Sequence, residues 1–391
     1  MGVKFIMNTK KQKKFVYYDI RKTMLAYPEP LYYVIIGERS NGKTYSSLDY
    51  ALERYATRNE QFAYVRRFGE DIRKSKLSNL FNAHIENGRV ASLFSDDWTN
   101  IEYASGKFNL SRINPDTEKP EYSDEPIGFA FDLNSMEHYK SISFPRITTI
   151  IFDEFLSRSG YLPNEFTLFM NTISTIVRNR KNLKIIMLGN TVNKYSPYFG
   201  EMGLSHIKEQ KQGTVDIYKY SNSGLQVAVE YCASASSQGG KASDVFFAFD
   251  NPQLQMITKG SWEIAIYPHL DPSIQYKPKN IAAQFFVDFD GELLHGEVIA
   301  VSNYAPFIFI HRKTTPIKDD NKDIVYGQRA TYKPNYFVGL QNKLPLTSFI
   351  NQALKESRIF YSTNEVGEIF RNYLMWCQNL GITRGVLSSS N

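Results

Sequence analysis

The segment Gly37-Glu38-Arg39-Ser40-Asn41-Gly42-Lys43-Thr44 matches the pattern G-x-x-x-x-G-K-[ST] in full, and it follows directly on the apolar run Leu31 to Ile36. Few folds accommodate that order. A buried strand must end and a loop must turn its backbone N–H groups inward. A helix must then start with its positive dipole end facing whatever anion the loop encloses. Helical spacing follows at once, because Leu48, Ala51, Leu52 and Tyr55 recur at i, i+3, i+4 and i+7. The expected ligand is a nucleoside triphosphate. The eight loop residues would cradle its phosphates, Lys43 would reach the β and γ phosphates, and Thr44 would offer its hydroxyl to Mg²⁺.

The same region predicts the rest of an α/β domain. Phe62 to Val65 reads as a second strand ending at Arg66-Arg67, Ile147 to Phe152 as a third, and Lys184 to Leu188 as a fourth closing at Gly189-Asn190. Between the last two, a helix after Pro163-Asn164 carries the apolar stripe Phe166, Phe169, Met170, Ile173 and Val177 and ends in Arg178-Asn179-Arg180-Lys181. Alternation of strand and helix predicts a mostly parallel sheet. Residues 84 to 146 are polar and rich in turn formers, and give no clear element.

A strand that ends in Asp153-Glu154 is the arrangement expected of a Walker B motif. Asp153 would hold Mg²⁺ and Glu154 the attacking water, since phosphoryl transfer needs a metal on the β and γ oxygens and a separate group aligning the nucleophile. Arg178 ends an amphipathic helix, where it could cross a subunit boundary and meet a neighbour's γ phosphate as an arginine finger. Arg180 is its rival, and complementing the helix dipole is the plainer role for either. Asn190 could sense the γ phosphate. Arg66, Arg67 and the weaker Lys140 are candidates for contact with nucleotide, DNA or a neighbouring subunit, because ligands gather at the carboxyl ends of parallel strands. Tyr17 and Tyr18 are candidate base stackers.

With 391 residues the chain exceeds a single typical core. We expect an ATPase domain over 1–204, a connector module over 205–276 containing the low-complexity tract 233–240, and an α+β domain over 277–391. In the last, Asp290-Gly291 is a hairpin signal between strands Ala282 to Val287 and Leu293 to Val301, followed by a strand at Phe307 to His311 and a helix near Glu365 to Gln378. A net charge of +6 permits nucleic-acid contact, and Lys4, Lys10, Lys11, Lys13, Lys14, Arg21 and Lys22 stand against Asp19 alone in the N-terminal tract. That tract is either a phosphate-backbone contact or a solvated tail. Cys232 and Cys377 are the only cysteines, too few for a disulfide framework or a cysteine-based zinc site. No apolar stretch reaches the roughly 18 residues that span a bilayer, which predicts a soluble, cytoplasmic protein without membrane partners.

Together, Tyr33 to Gly37 with Lys43-Thr44, Gln61 to Arg67, Thr149 to Phe155, Tyr161 to Glu165, Val177-Arg178-Asn179-Arg180 and Asn193 to Phe199 resemble the DNA-packaging ATPases of small tailed phages of the Picovirinae type, the phi twenty-nine group. The resemblance covers residues 31 to about 200. It implies an ASCE-type P-loop ATPase in which Lys43, Asp153, Glu154 and Arg178 are the phosphate-loop lysine, metal carboxylate, catalytic glutamate and trans-acting finger. It further implies a homo-oligomeric ring, a pentamer, seated on the portal of a procapsid, transiently bound there, contacting a packaging RNA and driving double-stranded DNA inward. The C-terminal domain would be RNase H-like, related to terminase nucleases but without a working active site. Asp288, Asp290 and Glu292 alternate as a nuclease carboxylate set would, yet the Asp290-Gly291 turn breaks the strand between them. The competing readings are a terminase-like enzyme that also cuts, a nucleotide-binding assembly protein without turnover, and a helicase or AAA+ remodeller.

Overall fold

The computed structural model describes residues 17–135, 142–157, 161–162, 164–178, 180, 182–191, 196–233, 267–302 and 304–388. Lys140, the lysines before residue 17 and the tract 234–240 lie outside the described residues. The chain divides into two compact units, one of residues 1–158, 166–194 and 203–263, the other of 159–165, 195–202 and 264–391.

The first unit is built on one large sheet. Its strands are β1 (Tyr32–Gly37), β2 (Gln61–Arg66), β3 (Asn100–Ala104), β4 (Lys107–Ile113), β5 (Pro120–Tyr122), β6 (Gly128–Asp132), β7 (Ile147–Asp153), β8 (Lys184–Asn190), β9 (Thr214–Lys219) and β10 (Gln226–Tyr231). They run β3-β4-β6-β2-β7-β8-β1-β10-β9, with β5 on β4. The central strands β6, β2, β7, β8, β1 and β10 are all parallel. Burial on both faces explains their near-continuous apolar runs, and every residue of β1 is buried. Antiparallel strands close both ends: β3, β4 and β5 on one side, β9 on the other.

Two expectations change. The polar stretch 84 to 146 supplies β3 to β6; β3 and β4 show the alternating pattern of strands with one wet face, whereas β6 is largely buried beside β2. Residues 214 to 231, assigned to a connector by sequence, belong to the first sheet, where β10 pairs in parallel with β1 and buries Val227, Ala228 and Val229. Without β10 the phosphate-loop strand would be an open edge. The sequence carries no local sign of a pairing between strands so far apart in the chain.

Helix α1 (Ile20–Ala26) is capped by Asp19 and ties to helix α2 (Lys43–Arg58) through the bond from the Ile20 N–H to Ser46 Oγ, 2.8 Å. Arg21, counted above in the basic tract, is spent inside the protein, pairing with Asp19 at 2.7 Å, Asp49 at 2.9 Å and Glu53 at 2.7 Å. Leu48, Ala51 and Leu52 are buried as their spacing predicts.

In the second unit, β11 (Ile281–Phe289), β12 (Glu292–Ile299) and β13 (Phe307–Arg312) form an antiparallel meander. Parallel strands extend it, β14 (Val325–Gly327) beside β11 with β15 (Tyr336–Val338) beside β14, and β16 (Ile359–Tyr361) beside β13. Asp290 and Gly291 both have positive φ, 51° and 76°, so the predicted hairpin turns in the primed geometry that matches strand twist. One sheet face packs against the helices Pro345–Lys355 and Asn364–Ser388, burying Ile350, Ile369, Phe370 and Tyr373. Among the described residues no helix is long and apolar enough to cross a membrane.

Candidate nucleotide site

Strand β1 delivers the phosphate loop, and β8 lies between β1 and β7, pairing with both. The three strand ends therefore converge. Arg39 to Tyr45, Asp153, Glu154, Leu188, Gly189 and Asn190 line one cavity of about 460 Å³. Of the expected phosphate-loop, metal and catalytic residues, Arg39 to Thr44, Asp153 and Glu154 line it, whereas Gly37, Glu38 and Arg178 do not.

The loop is folded by its own small residues. Gly42 takes φ +94°, and a Cβ there would lie 3.3 Å from the Cβ of Tyr17. The side chain of Asn41 accepts from the Lys43 N–H, 3.2 Å. Lys43 is buried, and its Nζ donates to the carbonyl oxygens of Glu38 (2.6 Å) and Gly37 (3.3 Å) and to Asn41 Oδ1 (3.2 Å) and Asn190 Oδ1 (3.3 Å). Burial pulls its ammonium below the ordinary lysine value, against the opposing pull of Asp153 and Glu38. A buried ammonium held by neutral oxygens would gain from an anionic phosphate.

Thr44 Oγ1 donates to Asp153 Oδ2 at 3.1 Å, and Tyr64 donates to the same oxygen at 2.9 Å. A hydroxyl and a carboxylate brought together are hard oxygen donors suited to Mg²⁺. Burial pushes Asp153 above the usual carboxylate range, and the charge of Arg66 and the bonds from Tyr64 and Thr44 only partly counter it. A raised folded-state pKa means the folded chain holds that proton more tightly than the unfolded chain. Stability without metal should therefore fall as pH rises from the ordinary carboxylate value, near 4, through the folded value. Asp153→Asn is expected to flatten that slope in urea titrations run at about pH 4 to 8.

Glu154 has φ +59°, and its N–H donates to Asp153 Oδ1 at 3.0 Å. Its carboxylate pairs with Arg66, Nη2 to Oε2 2.7 Å. Arg67 is buried and donates to the carbonyls of Glu154 (3.1 Å) and Phe155 (2.7 Å), so it fixes the turn after β7. Gly189 is tight against that turn, since a Cβ would lie 2.8 Å from Phe155 and 2.9 Å from Leu156. Tyr18 donates to Glu230 at 2.8 Å and packs against the core, while Tyr17 is exposed beside Gly42. Tyr64 escaped sequence reasoning. Its signal is alternation with Arg66 on β2, the strand next to β7, which puts both on one face.

Arg178 and Arg180 separate clearly. Arg180 donates to the carbonyls of Phe144, Pro145, Ile147, Ile176 and Val177 at 2.7–3.0 Å, a clamp between the helix Glu165–Val177 and the start of β7. Arg180→Ala is expected to destabilise the protein by about 2 kcal/mol in urea denaturation, since several carbonyls lose a charged donor. Arg178 is exposed, with φ +41° just past that helix, and does not line the cavity of its own chain.

Residues 12–96 and 117–219 match the family model of the podovirus DNA encapsidation protein (Gp16). That match covers just under half of the chain, all of it in the N-terminal part. The matched stretches hold every cavity-lining residue, and the unmatched gap contains the edge hairpin of β3 and β4. The DNA packaging proteins of Bacillus phages phi29 and PZA are each 33% identical over 193 residues, which is 48% of this chain and 50% of theirs. The match thus spans about half the length of these relatives. In structure the chain is similar to one from the bacteriophage Phi-29 viral genome packaging motor assembly. The TM-score is 0.53 at 23% identity, over 91% of this chain and 96% of that one, which is a likeness of fold.

Proposed function

We propose that this chain is the ATPase of a phage DNA-packaging motor, hydrolysing ATP to move double-stranded DNA into a procapsid. The observation that carries the reading is the meeting of Thr44 and Asp153 at 3.1 Å beside Lys43 and Glu154 in one cavity. A protein that only binds nucleotide needs no carboxylate placed to align water. Thr44 and Asp153 would hold Mg²⁺, which when bound neutralises charge on the β and γ oxygens. Lys43 would leave its carbonyl partners for the phosphates, and Glu154 would align a water against the γ phosphorus. Asn190, already 3.3 Å from Lys43 Nζ, would report whether the γ phosphate is present.

The finer expectations belong to the same proposal. The subunits form a homomeric ring, a pentamer, on the portal with a packaging RNA, and Arg178 serves the neighbouring site. The second unit is RNase H-like and does not cut. Its mixed sheet supports the first part. The second rests on Asp288, Asp290 and Glu292, which do not converge on a common metal position. Asp290 sits in the turn, and Glu292 is 3.4 Å from Arg312.

The test is steady-state ATP hydrolysis with and without linear double-stranded DNA of mixed sequence. It is paired with an assay for DNA protected from nuclease by purified procapsids. DNA-stimulated, salt-sensitive turnover together with protected DNA supports the motor. Turnover that ignores DNA and procapsids rejects it, and Mn²⁺-dependent cleavage lost in Asp288→Asn would favour the terminase-like reading.

A further inference from the structure

Far from the phosphate loop in sequence, the second unit places three metal-ligating side chains together. His295 and Glu297 alternate on β12, so they leave one face of the sheet, and His311 on β13 stands directly opposite His295. Leu294, Val298, Ile308 and Ile310 point the other way into the core. One ligand atom from each of His295, Glu297 and His311 lies within 4.8 Å of the others, and all three residues are half-buried. Among the described residues no other group of three His, Cys, Asp or Glu side chains is so placed.

The plain account is a cross-strand imidazole pair, packed edge to face at 4.8 Å. That account leaves His295 Nε2 buried without a hydrogen-bond partner, which is costly for an imidazole nitrogen. It also gives no reason for the way each donor is braced. The carbonyl of Arg312 lies 3.2 Å from His311 Nδ1, so an N–H there leaves the Nε2 lone pair for a metal. The hydroxyl of Tyr276 donates to Glu297 Oε2 at 2.8 Å, orienting that carboxylate. The ring of His295 stacks on Phe286 at 4.7 Å and 17°, which fixes its plane. Bracing of every ligand by a second residue is what metal sites show.

We propose that His295, Glu297 and His311 bind a zinc ion on the outer face of the second sheet. Two imidazoles and one carboxylate suit a borderline cation such as Zn²⁺, whereas Mg²⁺ prefers an all-oxygen shell. Three protein ligands leave a fourth position open to water or to a donor from a bound partner. The ion ties β12 to β13, and its charge makes this face a place for an anionic group.

The experiment uses the full-length chain, stripped with chelator and exchanged into buffer containing Mg²⁺. Zn²⁺ is titrated in competition with a chromophoric chelator, and Co²⁺ is titrated separately to read visible absorption bands. One equivalent of zinc is expected, with a zinc-dependent rise in melting temperature and the intense bands of four-coordinate Co²⁺. His311→Ala and Glu297→Gln should each weaken zinc binding by about 100-fold or more, and Tyr276→Phe by about 10-fold. His206→Ala, a histidine elsewhere in the chain, should leave it unchanged. If His311→Ala fails to fold, Glu297→Gln and Tyr276→Phe decide the matter. The proposal is overturned if no equivalent binds more tightly than about 10 μM, or if the folded site variants bind zinc as the unaltered chain does.

Discussion

Glu154→Gln is expected to lower ATP turnover by about 10²- to 10⁴-fold, the range for losing a group that takes a proton from the nucleophile. ATP affinity should stay within about threefold, because the loop, Lys43, Thr44 and Asp153 that would hold nucleotide and metal are untouched. The amide has the size of the carboxylate and keeps the φ +59° backbone, so a collapse of the site would not explain the loss. That backbone is itself informative. A non-glycine residue in the left-handed region costs about 1 kcal/mol, and such strain tends to persist where a side chain must be aimed. Arg66 at 2.7 Å holds one carboxylate oxygen, Oε2, and so restrains the direction in which Glu154 points. Steady-state turnover together with fluorescent-nucleotide binding checks the prediction. Residual turnover within tenfold of the unaltered protein would place the base elsewhere.

What could be read from the sequence was local, contiguous and rich in apolar contrast. The phosphate loop is one such stretch, β7 with its terminal Asp153-Glu154 is another, and the Asp290-Gly291 hairpin is a third. Each carries its geometry in adjacent residues. The hidden features depend on register between distant strands. Strand β10 looks like any short apolar run until it pairs with β1, and Tyr64 looks like a core tyrosine until β2 lies beside β7. The roles of Arg178 and Arg180 could not be divided from spacing alone, since both follow the same helix. Only the meeting of that helix end with residues 144 to 147 shows which guanidinium is spent on carbonyls. His295, Glu297 and His311 were invisible for a related reason, as two lie on one strand and the third comes from its partner.

Arg178→Ala is expected to reduce DNA-stimulated turnover by about 10³- to 10⁵-fold, the effect of removing an arginine finger from a phosphohydrolase. The guanidinium is exposed and does not line its own cavity, which is the placement that the proposed contact with a neighbour's γ phosphate requires. That geometry gives the prediction a signature beyond simple loss. When Arg178→Ala chains are mixed with unaltered ones, each variant subunit silences a neighbour whose own Lys43, Asp153 and Glu154 are intact. If the sites fire in order around a ring, one silent site stalls the rest, and activity should fall more steeply than the fraction of variant added. A decline in simple proportion to that fraction would place the finger elsewhere. Arg178→Lys should not restore turnover, because a point charge cannot reproduce the two-pronged contact of a guanidinium with phosphate oxygens. Arg180→Ala separates chemistry from folding, since its loss should appear in the urea midpoint while turnover per folded subunit stays within about threefold.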